Sequence, residues 1–326
     1  SVTMISTGIV LVLGKGDEAI EAARKLADRM DVTVVLEGAA DASPPDVMDM
    51  PLFAGTIKSA SGHLGKFEIQ VENFRPTAPS SKDKLEFTGI GETGSSVCDL
   101  ILDMRGKEPL FPAAEKRDGY FHVDPKSPAA VMEALFTMTD MIGEFEKPRY
   151  VDYDAGICAH ARSKITGCSK CLDICPTGAI EPNGDTVKYD PLICAGCGLC
   201  AMVCPTGAAK YSLPAGDGMS DRLRAVVGTY VKAGGTKPRL LIHDATFGRD
   251  VISLSARHGR GLPGNCIPFA VNQVTQIGLE TVTQALALGC SDVAYLLPPK
   301  KRADRDTIIE TIELVDAIAD GLGYGK

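Results

Sequence analysis

The feature that most constrains this chain is the spacing of its cysteines. Of 11 cysteines in 326 residues, eight fall between Cys158 and Cys204. An odd total clustered this tightly does not read as a secreted disulfide framework. It reads as metal ligation in a reducing compartment. Cys194, Cys197, Cys200 and Cys204 are separated by two, two and three residues, and Pro205 follows. Cys158, Cys168, Cys171 and Cys175, followed by Pro176, repeat the pattern with a nine-residue first gap. The halves close alike, with CPTGAI at 175–180 and CPTGAA at 204–209, which marks an internal duplication of a ligand loop.

Two-residue gaps let three successive sulfurs converge on one side of a tight loop, while the fourth cysteine of such a run ligates the other cluster of a pair. The crossed pattern assigns Cys158, Cys168, Cys171 and Cys204 to one [4Fe–4S] cluster. It assigns Cys194, Cys197, Cys200 and Cys175 to a second. Gly196 and Gly198 are expected to let the loop wrap closely, because a Cβ would crowd the cluster. Asn183-Gly184, between Ala179–Ile180 and Val187–Tyr189, signals a hairpin. On these residues, 151–212 resembles a two-[4Fe–4S] bacterial-type ferredoxin domain. The resemblance implies a small α+β module that carries electrons. Paired zinc sites are the alternative reading of clustered cysteines. The insertion AHARSKITG (159–167) also leaves open whether His160 replaces Cys158 as a ligand. Arg162 and Lys164 within it form a candidate docking patch for an acidic redox partner.

Residues 1–150 read as an α/β domain. An apolar strand, Ile9 to Leu13, leads through a glycine turn into a helix with Ala19, Ala23, Leu26, Ala27 and Met30 on one face. A second strand, Val32 to Leu36, ends at Glu37. Further strands are expected at Phe67–Val71, Lys84–Phe87 and Cys98–Met104, and a helix at Ala129–Ile142. Gly14, Gly16 and Ala19, with Glu37 at the next strand end, make a worn dinucleotide fingerprint. In that reading the glycines admit a pyrophosphate and Glu37 takes a ribose hydroxyl. Asp17 and Glu18 suit the helix dipole without any ligand and would repel an anion. Residues 62–71 and 146–158 resemble parts of the A subunit of heterodisulfide reductase, which joins a flavin domain to ferredoxin modules. That resemblance implies a Rossmann-like domain with FAD as a candidate cofactor.

Residues 213–326 alternate helix and strand, as a small three-layer domain with a parallel sheet does. Strands are expected at Arg239–His243, Cys266–Val271 and Asp292–Leu297, with helices at Asp221–Lys232, Asp250–Arg257, Leu279–Leu288 and Arg305–Ala319. Residues 239–298 resemble the delta subunit of the methyl-viologen-reducing hydrogenase family. The cysteines that hold that subunit's [2Fe–2S] cluster have no counterpart near Ala270–Asn272 or Leu297–Pro299, so this site is not carried over. Cys98, Cys266 and Cys290 are expected as buried small apolar residues. His243-Asp244, with Arg249 nearby, sits at a strand end as either a polar cap or an anion site. Arg257, His258 and Arg260 are candidates for a partner-facing surface.

The fold expected is thus α/β with an inserted ferredoxin-like dicluster module, divided at 1–150, 151–212 and 213–326. A net charge of −8 without a basic run argues against a nucleic-acid partner. No apolar stretch approaches a membrane span. The chain starts at Ser1 without a secretory pattern, so a cytoplasmic location is expected. Three functions stay open: electron transfer through two [4Fe–4S] clusters within an oxidoreductase complex, linked in one version to formate dehydrogenase; an FAD-containing iron–sulfur oxidoreductase; and a redox sensor that binds a partner.

Overall fold

The computed structural model describes all residues except 39–41, 46, 48, 79–83, 90, 113–116, 164, 325 and 326. The chain divides into two compact units, Ser1–Pro148 and Arg149–Lys326. The second holds both the cysteine-rich segment and the C-terminal α/β region.

The first unit opens with β1 (Val2–Ser6), β2 (Ile9–Gly14), α1 (Asp17–Ala27) and β3 (Asp31–Leu36). It continues through β4 (Leu52–His63), β5 (Lys66–Pro76), β6 (Glu92–Cys98), β7 (Leu100–Asp103) and β8 (Tyr120–His122). It ends with α2 (Pro128–Thr139) and β9 (Gly143–Lys147), which pairs with β1. Seven strands form one mixed sheet in the order β6-β5-β4-β3-β2-β7-β8. The run from β4 to β8 is parallel, and β5 and β6 add an antiparallel edge. Continuous apolar runs occupy the parallel centre, where a strand is covered on both faces. Val10, Leu11, Val12, Leu13, Leu100, Ile101 and Leu102 are all buried. Phe67, Ile69 and Val71 alternate inward on β5, as a strand with one buried face requires.

Two strand expectations change. The run Cys98–Met104 is two strands rather than one. The break falls at Asp99, whose buried carboxylate accepts hydrogen bonds from the Thr7 amide (2.6 Å), the Thr7 hydroxyl (2.8 Å) and the Ile9 amide (3.2 Å). A carboxylate that draws on three donors of a neighbouring loop turns the chain at that point. Lys84–Phe87 is not a strand. It contributes a single bridge, Thr77 to Phe87.

The second unit begins with β10 (Val151–Tyr153), the two-residue strands β11 (Ala161–Arg162) and β12 (Ile165–Thr166), and α3 (Lys170–Ile174). The hairpin β13 (Ile180–Asn183) and β14 (Thr186–Tyr189) turns at Asn183-Gly184, with Gly184 at φ +65. Then come α4 (Leu199–Met202) and β15 (Ala209–Tyr211), which pairs with β10 and closes the module end to end. The C-terminal region follows as α5 (Gly218–Lys232), β16 (Arg239–Asp244), α6 (Phe247–His258), β17 (Cys266–Val271), α7 (Leu279–Ala287), β18 (Asp292–Leu296) and α8 (Arg305–Gly321). Its three strands are parallel, in the order β17-β16-β18. Leu223 and Val227 of α5, Val282 and Ala285 of α7 and Val315 of α8 share a core with this sheet. Cys290 lies in that core, and Cys98 is buried in the first unit. Cys266 is a correction: it is half-buried at a strand start, at the register position of Arg239. Among the described residues no helix is long and apolar enough to cross a membrane.

Candidate metal centre

The two cysteine runs fold as related loops. In each half a Cys-Pro-Thr-Gly turn follows a one-turn helix, α3 or α4. The threonine hydroxyl lies against the cysteine sulfur, at 3.7 Å for Cys175–Thr177 and 3.8 Å for Cys204–Thr206. The Ala209 amide also donates to Cys204 Sγ at 3.4 Å. Burial raises the Cys204 thiol, but this amide, Thr206 and the Ala208 amide together hold it below its ordinary value. Donors aimed at a sulfur favour its thiolate, the form that binds iron.

Cysteines of the two runs pack in one cluster with Val151, Ile180, Val187 and Ala209. Burial pushes the Cys171 thiol up, and Cys168, Cys204 and Cys158 push the same way against a hydrogen bond with Tyr189. Burial pushes the Cys200 thiol up further, reinforced by Cys197, Cys194 and Cys175 in that order, with Cys171 of the other set last. Cys158, Cys168, Cys171 and Cys204 line one pocket. Among the described residues no three His, Cys, Asp or Glu side chains close on a point as a lone ion requires. Thiolates bound to different irons of a cubane are spread around a core rather than gathered on one ion, and eight cysteines are the number that two [4Fe–4S] clusters take.

The surroundings of the two sets differ. Residues 155–157, Ala159, Arg162, Ser163, residues 165–167, Pro205 and Thr206 are exposed around the first set. Around the second, Gly196 and Gly198 through Met202 are buried. Tyr189 stands between them: burial and the sulfurs of Cys200 and Cys171 hold its phenol neutral.

The insertion 159–167 is a miniature hairpin, β11 to β12, with Ser163 at φ +53. His160 is buried in the wall of the first pocket. Its Nδ1 lies 2.8 Å from the Cys168 carbonyl, and because a carbonyl only accepts, Nδ1 carries the proton. The His160 carbonyl in turn accepts from the Gly167 and Cys168 amides. His160 thus braces the insertion, and Cys158 lines the same pocket. Arg162 is exposed, and Lys164 lies outside the described residues.

The protein behind the loop also requires glycine at 196 and 198. Both have positive φ, +70 and +84. A Cβ on Gly196 would meet the Tyr150 ring at 2.6 Å, and one on Gly198 would meet Gln276 at 2.8 Å. The crowding comes from the protein behind the loop.

The dinucleotide expectation meets a site occupied by the chain's own groups. A Cβ on Gly14 would lie 2.2 Å from Ala19 Cβ, so this glycine serves the packing of α1 on β2. Gly16 has an extended φ of −153 that any residue adopts. Asp17 accepts from the Ser43 amide at 2.8 Å. Glu37 is buried, pairs with Lys107 Nζ at 2.6 Å, accepts from the Ile57 amide at 2.9 Å and faces Arg105 at 3.7 Å. Arg105 is forked onto Asp103, which also accepts from Tyr120. Gly14, Gly16 and Glu37 do not fit a pyrophosphate and a ribose, and this arrangement gives FAD no support.

Burial draws the Glu37 carboxyl upward, but Lys107, the Ile57 amide and Arg105 outweigh it and hold the group below its ordinary value of 4.5. A carboxylate depressed in the folded state contributes stability that is full above its unfolded value and fades as pH falls through its folded one. Glu37→Gln should therefore cost about 2 kcal/mol at pH 7, toward the low end for a buried pair because Lys107 is half exposed. The gap to the native chain should shrink as pH falls below 4.5. Urea unfolding followed by circular dichroism at several pH values checks this, and a gap that does not change with pH contradicts it.

Residues 165–208 match the family model of the 4Fe-4S dicluster domain. None of the curated proteins matches the chain. The matched stretch contains seven of the eight clustered cysteines and begins after Cys158 and most of the insertion. The dicluster segment and its cysteines point to iron–sulfur electron transfer, with redox partners in general.

His243 and Asp244 are buried at the end of β16. His243 Nδ1 contacts the Asp244 carbonyl at 2.7 Å, and Asp244 accepts from the Thr246 and Gly248 amides. They form the polar cap of α6. Arg249 is exposed beside Asp250 at 3.8 Å, and Arg257, His258 and Arg260 are exposed. Sequence reasoning did not single out Thr177, Thr206, Tyr189 or Thr275. The repeated CPTG carried a signal for the two CPTG threonines. Tyr189 lies within the dicluster segment without a motif of its own, and Thr275 reaches the segment only through the tertiary fold.

Proposed function

We propose that this chain is an electron-transfer component of an oxidoreductase complex, with Cys158, Cys168, Cys171 and Cys204 holding one [4Fe–4S] cluster and Cys194, Cys197, Cys200 and Cys175 the other. The observation that supports this reading most is the match of residues 165–208 to the 4Fe-4S dicluster domain, beside a pocket lined by Cys158, Cys168, Cys171 and Cys204. When bound, such clusters supply one-electron chemistry within roughly −700 to +450 mV. The chain's own residues do the rest. The cysteine thiols give up their protons on binding iron. The Ala209 amide and Thr206 donate to Cys204, which favours the more negative, reduced state. Residues 196–202 keep water from the second set, and the exposed 155–167 region leaves the first open to a partner. Bond-making chemistry then belongs to the partner subunits. Cytoplasmic complexes of the heterodisulfide reductase or hydrogenase kind, including formate-linked ones, are the class in which such a component would serve.

Anaerobically reconstituted protein should bind about eight irons and eight sulfides per chain. It should titrate by electron paramagnetic resonance as two one-electron centres. Acid denaturation should release no flavin. Iron bound without sulfide, as a mononuclear or zinc-like site would give, rejects this reading.

A further inference from the structure

In the first unit, β5 is irregular against both of its neighbours. On the β4 side, Ala54 faces Arg75 and Thr56 faces Glu72, so two steps of β4 span three of β5. On the β6 side, Gly94 faces Val71 and Glu92 faces Phe74, again two steps against three. β5 thus bulges by one residue at Asn73-Phe74 in both ladders. Asn73 has φ +54, a left-handed conformation that asparagine adopts more readily than most residues. Glycines on the flanking segments make room for the bulge. A Cβ on Gly55 would meet Val71 at 2.3 Å, and one on Gly91 would meet the Asn73 Cα at 2.8 Å. Bulges re-aim side chains and recur beside functional sites.

This bulge borders a cavity of about 540 Å³, within the size range of small-molecule sites. Arg75, Asn73 and Thr56 line it with polar groups, and Leu36, Leu85 and Phe87 with apolar ones. Leu36 is the last residue of β3, and ligands of open α/β sheets gather at the carboxyl ends of strands. Among the described residues that line the cavity, Arg75 carries the only charge. It is half-buried, and among the described residues its guanidinium has no hydrogen bond or ion pair. Glu72, the nearest acid along β5, pairs with Lys58 at 2.8 Å instead. A guanidinium offers a planar fork of donors that matches a carboxylate or a phosphate. In a chain of net charge −8, this cavity presents the opposite sign.

We infer that the cavity binds a small organic anion, its carboxylate or phosphate head on Arg75 and its short apolar body against Leu85 and Phe87. The inference goes beyond the electron-transfer reading and does not rest on it. It gives a ligand-binding role to the unit that holds none of the eight clustered cysteines.

The test is isothermal titration of the reconstituted full chain with benzoate and, separately, phenyl phosphate. At least one should bind at millimolar concentration, and the tighter of the two names the head group. Benzyl alcohol, which has the body without the charge, should not bind. Arg75→Gln should weaken binding by about tenfold or more, as loss of a charge-assisted hydrogen bond does. Arg75→Lys, which keeps the charge without the fork, should fall between the two. Lys25→Gln, which removes the same charge from the exposed side of α1, should leave the affinity unchanged. Hydrogen exchange of the native chain should slow at Gly38 and Gly89 when the anion is present, and this measurement decides alone if Arg75→Gln does not fold. No binding of either anion, binding that ignores Arg75→Gln, or an equal loss in Lys25→Gln overturns the inference. Each of these results leaves the iron and sulfide content, and with it the electron-transfer reading, untouched.

Discussion

Cys204→Ala should abolish the cluster held with Cys158, Cys168 and Cys171 and leave the Cys194, Cys197 and Cys200 cluster assembled. Iron content should fall by about half, and one of two reduced-state signals should vanish. Cys175→Ala should do the converse. The expectation follows from the proposed crossing of the fourth cysteine, which the pocket that Cys204 shares with Cys158, Cys168 and Cys171 supports. An uncrossed arrangement gives the opposite pairing, because Cys204 would then complete its own loop. The readout is the combination of each variant with Cys168→Ala. Under crossing, Cys204→Ala and Cys168→Ala hit the same cluster, so the pair loses little beyond either single change. Loss of both clusters in that double variant contradicts the crossed assignment.

The second large effect is expected at Gly198→Ala. The residue has φ +84, and the added Cβ would lie 2.8 Å from the Gln276 Cα and Cβ atoms. Left-handed strain costs about 1 kcal/mol, and overpacking adds about 1–3 kcal/mol. Together these reach about 2–4 kcal/mol, a large part of a typical folding free energy. The backbone that positions Cys197 and Cys200 would have to move away from its cover, so the second cluster should be lost faster in air than the first. Gly178→Ala is the matched comparison. It has φ +67 with nothing within 4 Å of its Cβ, and should cost only the strain. Chemical denaturation of both variants, with cluster absorbance followed in parallel, measures the difference. Equal losses would mean that contact with Gln276 contributes nothing.

The cysteine spacing alone pointed to a 4Fe-4S dicluster segment, which the family match bears out, because a ligand loop is a local object with sulfur positions fixed by short gaps. The hairpin at Asn183-Gly184 and the parallel order of β16, β17 and β18 were legible for the same reason: turn chemistry and hydrophobic period are written in neighbouring residues. Tertiary contacts decided the rest. Glu37 closes a strand as a ribose-binding acid would, yet Lys107 and Arg105, far along the chain, take up its carboxylate. The strand break at Asp99 depends on the amides of Thr7 and Ile9. Gly196 and Gly198 are glycines because Tyr150 and Gln276 stand behind them. In this protein the sequence determined what can be ligated, whereas the fold decided how each ligand set is shielded and charged. Ligation follows local geometry, while dielectric and charge are sums over everything folded nearby.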